Sequence, residues 1–238
     1  MKDQLGEHNL WCKMTVFELG TRVPLMIRVP GAPSQGKTTT SLAEAVDLFP
    51  TLATLAGKAT EVPPYLDGTT LGPILDDPTA TVKEAAFSEF VKCYSCCKVP
   101  DDVPCLPPDG PSGPGRNQCA PKDPTDLSEM ETCFDVPREN ISFVGYSMRT
   151  PRYRYTEWLH WDGAALHGDF NRRVAVELYD HEVDPGNNPD VSENQNGAAS
   201  ADRTLLEQLH TQLVAGFPPR PAPTPAPILA PAPVPVPA

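Results

Sequence analysis

Proline is distributed unevenly along this chain, and its distribution limits where a packed core can form. The sequence has 238 residues and 30 prolines, well above the usual share in a globular protein. Many of them fall in an irregular segment at 93–137, and ten of the last twenty-one residues are proline. Because proline fixes φ and removes a backbone donor, we expect an extended polyproline tail from Pro218 onward. Roughly 170 residues then remain to build a core.

Charge and hydropathy exclude two classes of partner. The net charge is −12, from 31 acidic and 19 basic side chains. A general nucleic-acid binder needs a cationic face to neutralise phosphates, so no nucleic-acid partner is expected. No run of eighteen apolar residues occurs, and we therefore expect no transmembrane helix.

Seven cysteines form the second unusual feature, because six of them lie between 93 and 133. The six are Cys93, Cys96, Cys97, Cys105, Cys119 and Cys133. They could coordinate zinc, but the second close pair that zinc modules usually show is missing. An even count also fits three disulfides that staple a loop without a core, and this is the favoured interpretation, with fifteen pairings open. Cys12 is expected to be free.

Two features indicate an oxidising compartment. Clustered cysteines in a loop rich in proline and glycine suit secreted proteins, and Asn140-Ile141-Ser142 is a sequon for N-glycosylation. The first eight residues contain no apolar stretch that could act as a secretory signal. The chain is therefore expected to have lost its front end.

The first third of the chain predicts one strand and one helix. Val-Pro-Leu-Met-Ile-Arg-Val at 23–29 is apolar on both faces, which predicts a strand that needs neighbours on both sides. Ser41 and Glu44 form a capping-box pattern at the start of a helix, which Pro50 should kink and Gly57 should end. One face of this helix is apolar: Leu42, Ala45, Val46, Phe49, Leu52 and Leu55.

Patterns further along predict a small antiparallel sheet. A short helix is expected within 61–80, followed by strands at 85–91, 143–149, 153–159 and 174–179. Thr-Pro-Arg at 150–152 has the length of a hairpin link, and aromatic and polar residues alternate over 152–158 as in a half-buried strand. Asp-Pro-Gly-Asn at 184–187 predicts a turn. A final amphipathic helix at 201–216 is expected to pack across the sheet.

Four blocks, in this order and spacing, carry a resemblance to a known family. Leu-Gly-Glu-His-Asn-Leu-Trp-Cys-Lys at 5–13 leads to Thr-Arg-Val-Pro-Leu at 21–25. Val-Asp-Leu-Phe-Pro-Thr-Leu follows at 46–52, Leu-Asp-Gly-Thr-Thr-Leu at 66–71, and Glu-Leu-Tyr-Asp at 177–180. Together these blocks resemble the sulfatases. Gly-Tyr-Ser-Met-Arg-Thr at 145–150 and Tyr-Arg-Tyr-Thr at 153–156 look like the iduronate-2-sulfatase branch in particular.

The resemblance implies a fold and a division of the chain. It covers 4–92 and 141–217, and it implies the C-terminal portion of the alkaline-phosphatase-like α/β sulfatase fold. Residues 1–92 would be the end of the catalytic domain, truncated at its front, and 93–137 a Cys/Pro-rich insertion. Residues 138–217 would form the C-terminal subdomain, and 218–238 a disordered tail.

The resemblance also implies a site, of which this sequence contains little. The family uses a formylglycine made from cysteine in Cys-x-Pro-x-Arg, together with a calcium ion held by carboxylates. No Cys-x-Pro-x-Arg occurs here, and the second calcium-side residue of the family's pair would fall on Met1, so no metal ligand is assigned. Lys13 matches the lysine that contacts the sulfate, although alone it would be read as a solvated side chain.

Other polar residues near this block favour structural roles. His8 could line the mouth of the substrate site, but a loop-stabilising hydrogen bond is favoured for it, and Glu7 is also expected to be structural. His160 and Trp161, at the end of a strand, could approach a sugar, although a plain surface loop is favoured.

The expected function follows from the resemblance. A complete protein would hydrolyse sulfate esters of glycans with calcium as cofactor, in a secreted, lysosomal or vacuolar location. This chain alone is expected to bind no calcium and to be inactive. The alternative is a non-catalytic secreted or wall-associated module that binds through the cysteine loop and polyproline tail. A metal-dependent phosphatase is disfavoured, because the strand pair at 145–156 favours sulfatases.

Overall fold

The structure is a computed structural model that describes residues 4–5, 11–12, 14–93, 133, 136–182 and 196–218. Four α-helices lie in these ranges: α1 (Glu18–Thr21), α2 (Leu48–Leu55), α3 (Gly72–Asp76) and α4 (Arg203–Gly216). The strands are β1 (Gln4–Leu5), β2 (Trp11–Cys12), β3 (Ala86–Lys92), β4 (Phe143–Arg149), β5 (Tyr153–Asp162) and β6 (His167–Asp180). None of the helices in the described ranges is long and apolar enough to cross a bilayer.

The main sheet has four antiparallel strands in the order β3-β4-β5-β6, which confirms the predicted architecture. Strands that are neighbours in sequence are also neighbours in the sheet. Hairpins connect β4 to β5 and β5 to β6, whereas the long insertion connects β3 to β4. The β4–β5 hairpin closes where the Thr150 amide donates to the carbonyl of Tyr153 at 2.8 Å. β6 is longer than predicted, because it begins at His167 and pairs with the whole of β5.

Helix α4 packs across one face of this sheet, as predicted. Leu209 and Leu213 are buried in the same cluster as side chains from three strands. Those side chains are Val144, Tyr146, Met148, Tyr155, Leu159 and Leu178. The helix begins after Asp202, whose carboxylate accepts from the amide of Thr204 at 2.7 Å. Burying each leucine contributes about 1.5–3 kcal/mol, which explains why the amphipathic pattern places this helix on the sheet.

The opposite face of the sheet is also covered, which corrects the prediction of a half-buried strand. In β5 the side chains from Arg154 to Leu159 are all buried, on both faces. The second face carries Arg154, Thr156 and Trp158, and the N-terminal segment containing α1 contacts it through Glu18. Local alternation could not reveal this second layer, because the covering segment is more than a hundred residues away.

The predicted helix from Ser41 is shorter and begins later than expected. A 3-10 turn at Ala45–Asp47 leads into α2, and the capping box is formed by Glu44 and Asp47 rather than by Ser41 and Glu44. Pro50 lies in the first turn of α2, where its missing donor removes no helical hydrogen bond, so it neither kinks nor divides the helix. Gly57, with φ of +72°, ends the helix as predicted.

Residues 23–29 form no strand in the structure, and the prediction of one was wrong. Val23, Leu25 and Met26 are exposed, with Met26 92% accessible. None of the strands in the described residues pairs with this segment. Its apolar side chains therefore have no sheet in which to be buried. Phe49 and Leu52 on the apolar face of α2 are also exposed, at 59% and 63%.

One disulfide closes the base of the cysteine-rich insertion. Cys93, directly after β3, bonds to Cys133, 40 residues later, at an S–S distance of 2.07 Å. This confirms one disulfide among the six clustered cysteines, and it removes these two thiols from any zinc site. Cys96, Cys97, Cys105 and Cys119 lie outside the described residues, as do the turn predicted at 184–187 and the tail from 219.

Candidate functional site

The lysine implied by the resemblance follows directly after a small hairpin. β1 pairs antiparallel with β2, so that Gln4 lies opposite Cys12 and Leu5 opposite Trp11. The pairing therefore places Leu5 and Trp11 side by side. Lys13, His8 and Glu7 themselves lie outside the described residues, and their predicted roles remain predictions.

Glu18 fastens the segment after Lys13 to the sheet. Its Oε2 accepts from the guanidinium of Arg154 on β5 at 2.5 Å and from Nε of Arg149 on β4 at 3.2 Å. Glu18 and Arg154 are only 5% and 2% exposed, so this is a buried ion pair. The backbone that continues from Lys13 is therefore held on β4 and β5 five residues later.

The electrostatics of this anchor favour the charged carboxylate. Burial raises the pKa of Glu18, but the guanidinium groups of Arg154 and Arg149 outweigh burial and lower the pKa below its ordinary value of 4.5. The anchor is therefore ionised at neutral pH.

Hydroxyl groups complete the hydrogen bonding of Arg154. Thr21 Oγ1 accepts from one terminal nitrogen at 3.0 Å, and Ser147 Oγ accepts from the other at 3.3 Å. Thr156 donates to Ser147 Oγ at 2.8 Å. Ser147, Arg154 and Thr156 belong to the strand pair that resembles the iduronate-2-sulfatase branch, and in the structure they hold the anchor.

The second and third resemblance blocks contact each other through Asp47. This carboxylate is fully buried and accepts from the amides of Glu44 and Thr69 at 2.7 and 2.8 Å, while Nζ of Lys83 lies at 2.7 Å. Gly68 passes so close to this turn that a Cβ on it would lie 2.1 Å from the carbonyl oxygen of Val46. The contacts of Asp47 and Gly68 among the described residues are therefore structural.

His160 and Trp161 also have partners within the protein. The ring of His160 packs against Phe143 at a centroid distance of 4.9 Å, and the indole N–H of Trp161 donates to the carbonyl of Arg138 at 2.8 Å. Both residues belong to β5 rather than to a surface loop. The prediction of a surface loop for these two residues was therefore wrong, and contact with a sugar stays a prediction.

A buried polar cluster under α4 was not predicted from the sequence. Oε1 of Glu157 accepts from Tyr155, Arg173 and His210 at 2.5, 3.0 and 2.8 Å, while the buried Oε2 has no hydrogen-bond partner among the described residues. Burial, followed by the hydrogen bond to Glu157, raises the pKa of Tyr155. The signal was present in the pattern, because Glu157 falls in register with Tyr153 and Tyr155 on the face that the aromatics occupy.

No metal centre is formed by the described residues. Within these ranges, no three side chains of His, Cys, Asp or Glu converge as cation ligands, so this part of the chain does not fit a calcium ion. A groove of about 250 Å³ lies between residues 27–37 and Leu75 and carries Arg28 and Lys37. None of its lining residues is buried, so it is an open surface feature.

The chain resembles known sulfatases in sequence. Residues 6–101 match the family model described as N-sulphoglucosamine sulphohydrolase, C-terminal. Iduronate 2-sulfatase of Mus musculus is 32% identical over 211 residues, which cover 76% of this chain and 35% of that relative. Choline-sulfatase of Rhizobium meliloti is 50% identical over 76 residues, or 31% of this chain and 14% of the relative.

A solved structure described under the metabolism of multiple glycosaminoglycans by Bacteroides thetaiotaomicron is also similar. It is 16% identical, with a TM-score of 0.44, and the match covers 79% of this chain and 30% of that one. The chain spans about a third of the length of the iduronate 2-sulfatases that it matches. The family match and the similarity to mouse iduronate 2-sulfatase together show that this chain is similar to the sulfatases, over residues 6–101 to the part that the family model describes as C-terminal.

Proposed function

We propose that this chain is the C-terminal part of a sulfatase of the iduronate-2-sulfatase type, which hydrolyses sulfate esters of glycans when complete. The observation that carries the proposal is the similarity to mouse iduronate 2-sulfatase, which extends over 76% of this chain. It includes the branch-like strand pair whose Ser147, Arg154 and Thr156 form the anchor on Glu18.

Within this proposal, Lys13 contacts the sulfate. An ammonium group can donate to a sulfate oxygen and stabilise the charge that moves toward the leaving oxygen. The Glu18 anchor supports the role, because it fixes the backbone five residues beyond Lys13 to two strands of the sheet.

The nucleophile and the calcium ion would come from further chain. The sequence has no Cys-x-Pro-x-Arg, and the carboxylates of the described residues do not converge as cation ligands. The 238 residues alone are therefore proposed to be inactive. The match to a choline-sulfatase is confined to 76 residues, so it supports the shared sulfatase chemistry more than a choline substrate.

A chimera tests the proposal. Residues 1–217 would replace the matching C-terminal portion of mouse iduronate 2-sulfatase, and the product would be assayed on a sulfated iduronate disaccharide. We expect the chimera to turn over and Lys13→Ala to lower its kcat/KM by about 10²–10³-fold, the usual effect of removing one donor to a developing charge.

Lys58→Ala is the matched control, because Lys58 is an exposed lysine that only pairs with Glu61. Its kcat/KM should equal that of the parent chimera. Equal activity of the Lys13→Ala chimera would refute the role of Lys13, and turnover by the 238-residue chain alone would refute the proposed dependence on further chain.

A further inference from the structure

We propose that Asn140 is an N-glycosylation site, independently of any sulfatase activity. Asn140-Ile141-Ser142 is the single Asn-x-Ser/Thr sequence of the 238 residues. Sequons also occur by chance, so the structural context of this one decides between a glycan acceptor and an ordinary asparagine.

The backbone around Asn140 is fixed on both sides. The residue ends a 3-10 turn, Arg138–Asn140, just before β4, and its amide donates to the carbonyl of Pro137 at 2.8 Å. Trp161 holds the turn from β5, because its indole N–H donates to the carbonyl of Arg138 and its backbone N–H to that of Ser142, at 2.8 and 3.0 Å. The turn therefore has a defined shape without any help from the Asn140 side chain.

Gly163 brings the β5–β6 loop against the same turn. A Cβ at Gly163 would lie 2.1 Å from the carbonyl oxygen of Glu139, so the two backbones are in contact. Residues 137–139 of the turn are exposed, and Asn140 itself is half-buried.

The side-chain amide of Asn140 makes no hydrogen bond within the described part of the chain. An asparagine kept for structural reasons in a turn normally bonds the backbone, as Asn196 does by accepting from the amide of Leu178 at 3.0 Å. The nitrogen that would carry the sugar is therefore not committed to the fold. Substitution of Asn140 should cost the fold little.

The disulfide indicates the compartment in which such a modification takes place. Cys93 directly follows Lys92, which lies opposite Phe143 at the start of β4, so the bond to Cys133 lies at the same end of the sheet as the sequon. Disulfides persist in the oxidising secretory route of eukaryotic cells, where asparagine glycosylation also occurs.

The test expresses the full chain behind a secretion leader in eukaryotic cells. We expect a single step to higher mass on gels, removed by a peptide N-glycosidase, and a glycopeptide that contains Asn140. The step should be lost in Asn140→Gln and Ser142→Ala and kept in Ser142→Thr, which preserves the sequon. Asn171→Gln, outside any sequon, is the control and should keep it.

The Cys93–Cys133 bond, read by peptide mapping without reductant, reports folding in every variant. An unmodified Asn140 in secreted wild-type protein that carries this bond would overturn the proposal. So would a mass step that persists in Asn140→Gln. Loss of the bond in Asn140→Gln would show a structural role for the amide and would equally count against the inference.

Discussion

The buried ion pair of Glu18 and Arg154 connects two distant parts of the chain. The two side chains join a segment at the start of the chain to β5, across 136 residues of sequence. In a buried pair each charge depends on the other, because neither can recover its hydration inside the protein. The free energy at risk is therefore the cost of leaving Arg154 without its carboxylate.

We expect Glu18→Gln to lower the free energy of unfolding by about 3–5 kcal/mol at neutral pH. Urea unfolding followed by tryptophan fluorescence measures this change. Glu61→Gln is the control, because Glu61 and Lys58 are both more than half exposed, and it should change stability by less than about 1 kcal/mol. Equal changes in the free energy of unfolding for the two substitutions would mean that the buried pair stabilises the fold no more than an exposed one.

The same pair predicts a dependence on pH. Because the pKa of Glu18 is lowered in the folded state, its contribution is fully present above the ordinary value of 4.5 and is lost as the pH falls through the folded pKa. The stability difference between wild type and Glu18→Gln should therefore be constant near neutrality and shrink below pH 4.5. A difference that stays constant through the acid range would contradict this assignment.

At this scale the resemblance drew attention to one residue of the family's site, and the sequence patterns missed the buried carboxylates. Lys13 was identified from its neighbours, whereas Glu18, Asp47 and Glu157 were not singled out. Each of these carboxylates is buried because a distant cation reaches it: Arg154, Lys83 and Arg173 respectively. For Glu18 and Asp47 this long-range pairing leaves no local pattern, whereas Glu157 falls in register with the aromatic residues of β5.

Among the elements, the turn at Gly68 is fixed by close backbone contact. We expect Gly68→Ala to destabilise the chain by about 1–3 kcal/mol, because its Cβ would clash with the carbonyl oxygen of Val46. This oxygen belongs to the backbone, so it cannot move aside as the end of a flexible side chain could. Gly72→Ala is the matched control, since the nearest atom to its Cβ is Thr70 Oγ1 at 3.5 Å. Thermal unfolding of both variants measures the contrast.

Similar melting temperatures for the two alanine variants would refute the contact at Gly68. Gly72 occupies the first position of α3, where alanine is a better helix former, so its variant should be neutral or slightly more stable.

Strands were predicted well where the sheet is complete and poorly where it is not. The bounds of β4 agree with the prediction, and β3 differs by one residue at each end. Residues 23–29 have an equally apolar pattern but no pairing partner among the described residues. The hydrophobic pattern of a segment indicates whether it could form a strand. Whether it does so depends on the presence of a neighbouring strand to pair with.

For the whole molecule, the exposed apolar face of α2 has consequences in solution. Phe49 and Leu52 lie on the same side of the helix as Val46 and Leu55, which are also exposed. Exposed apolar clusters mark contact surfaces or aggregation-prone sites.

We expect the purified chain to self-associate, and Phe49→Ser combined with Leu52→Ser to reduce the association. Light scattering behind size-exclusion chromatography measures the mass of each species. Lys58→Ser, nearby and already polar, is the control and should behave as the wild type. A wild-type chain that elutes as a monomer at every concentration would contradict the prediction.

The bond between Cys93 and Cys133 also determines how the polypeptide tolerates scission. Hydrolysis of any peptide bond between these cysteines would divide the chain into an N-terminal and a C-terminal piece that remain covalently linked. β3 would belong to one piece and β4 to the other, still paired from Ala86 opposite Arg149 to Lys92 opposite Phe143. Such a nicked molecule would migrate as one band until a reductant released two.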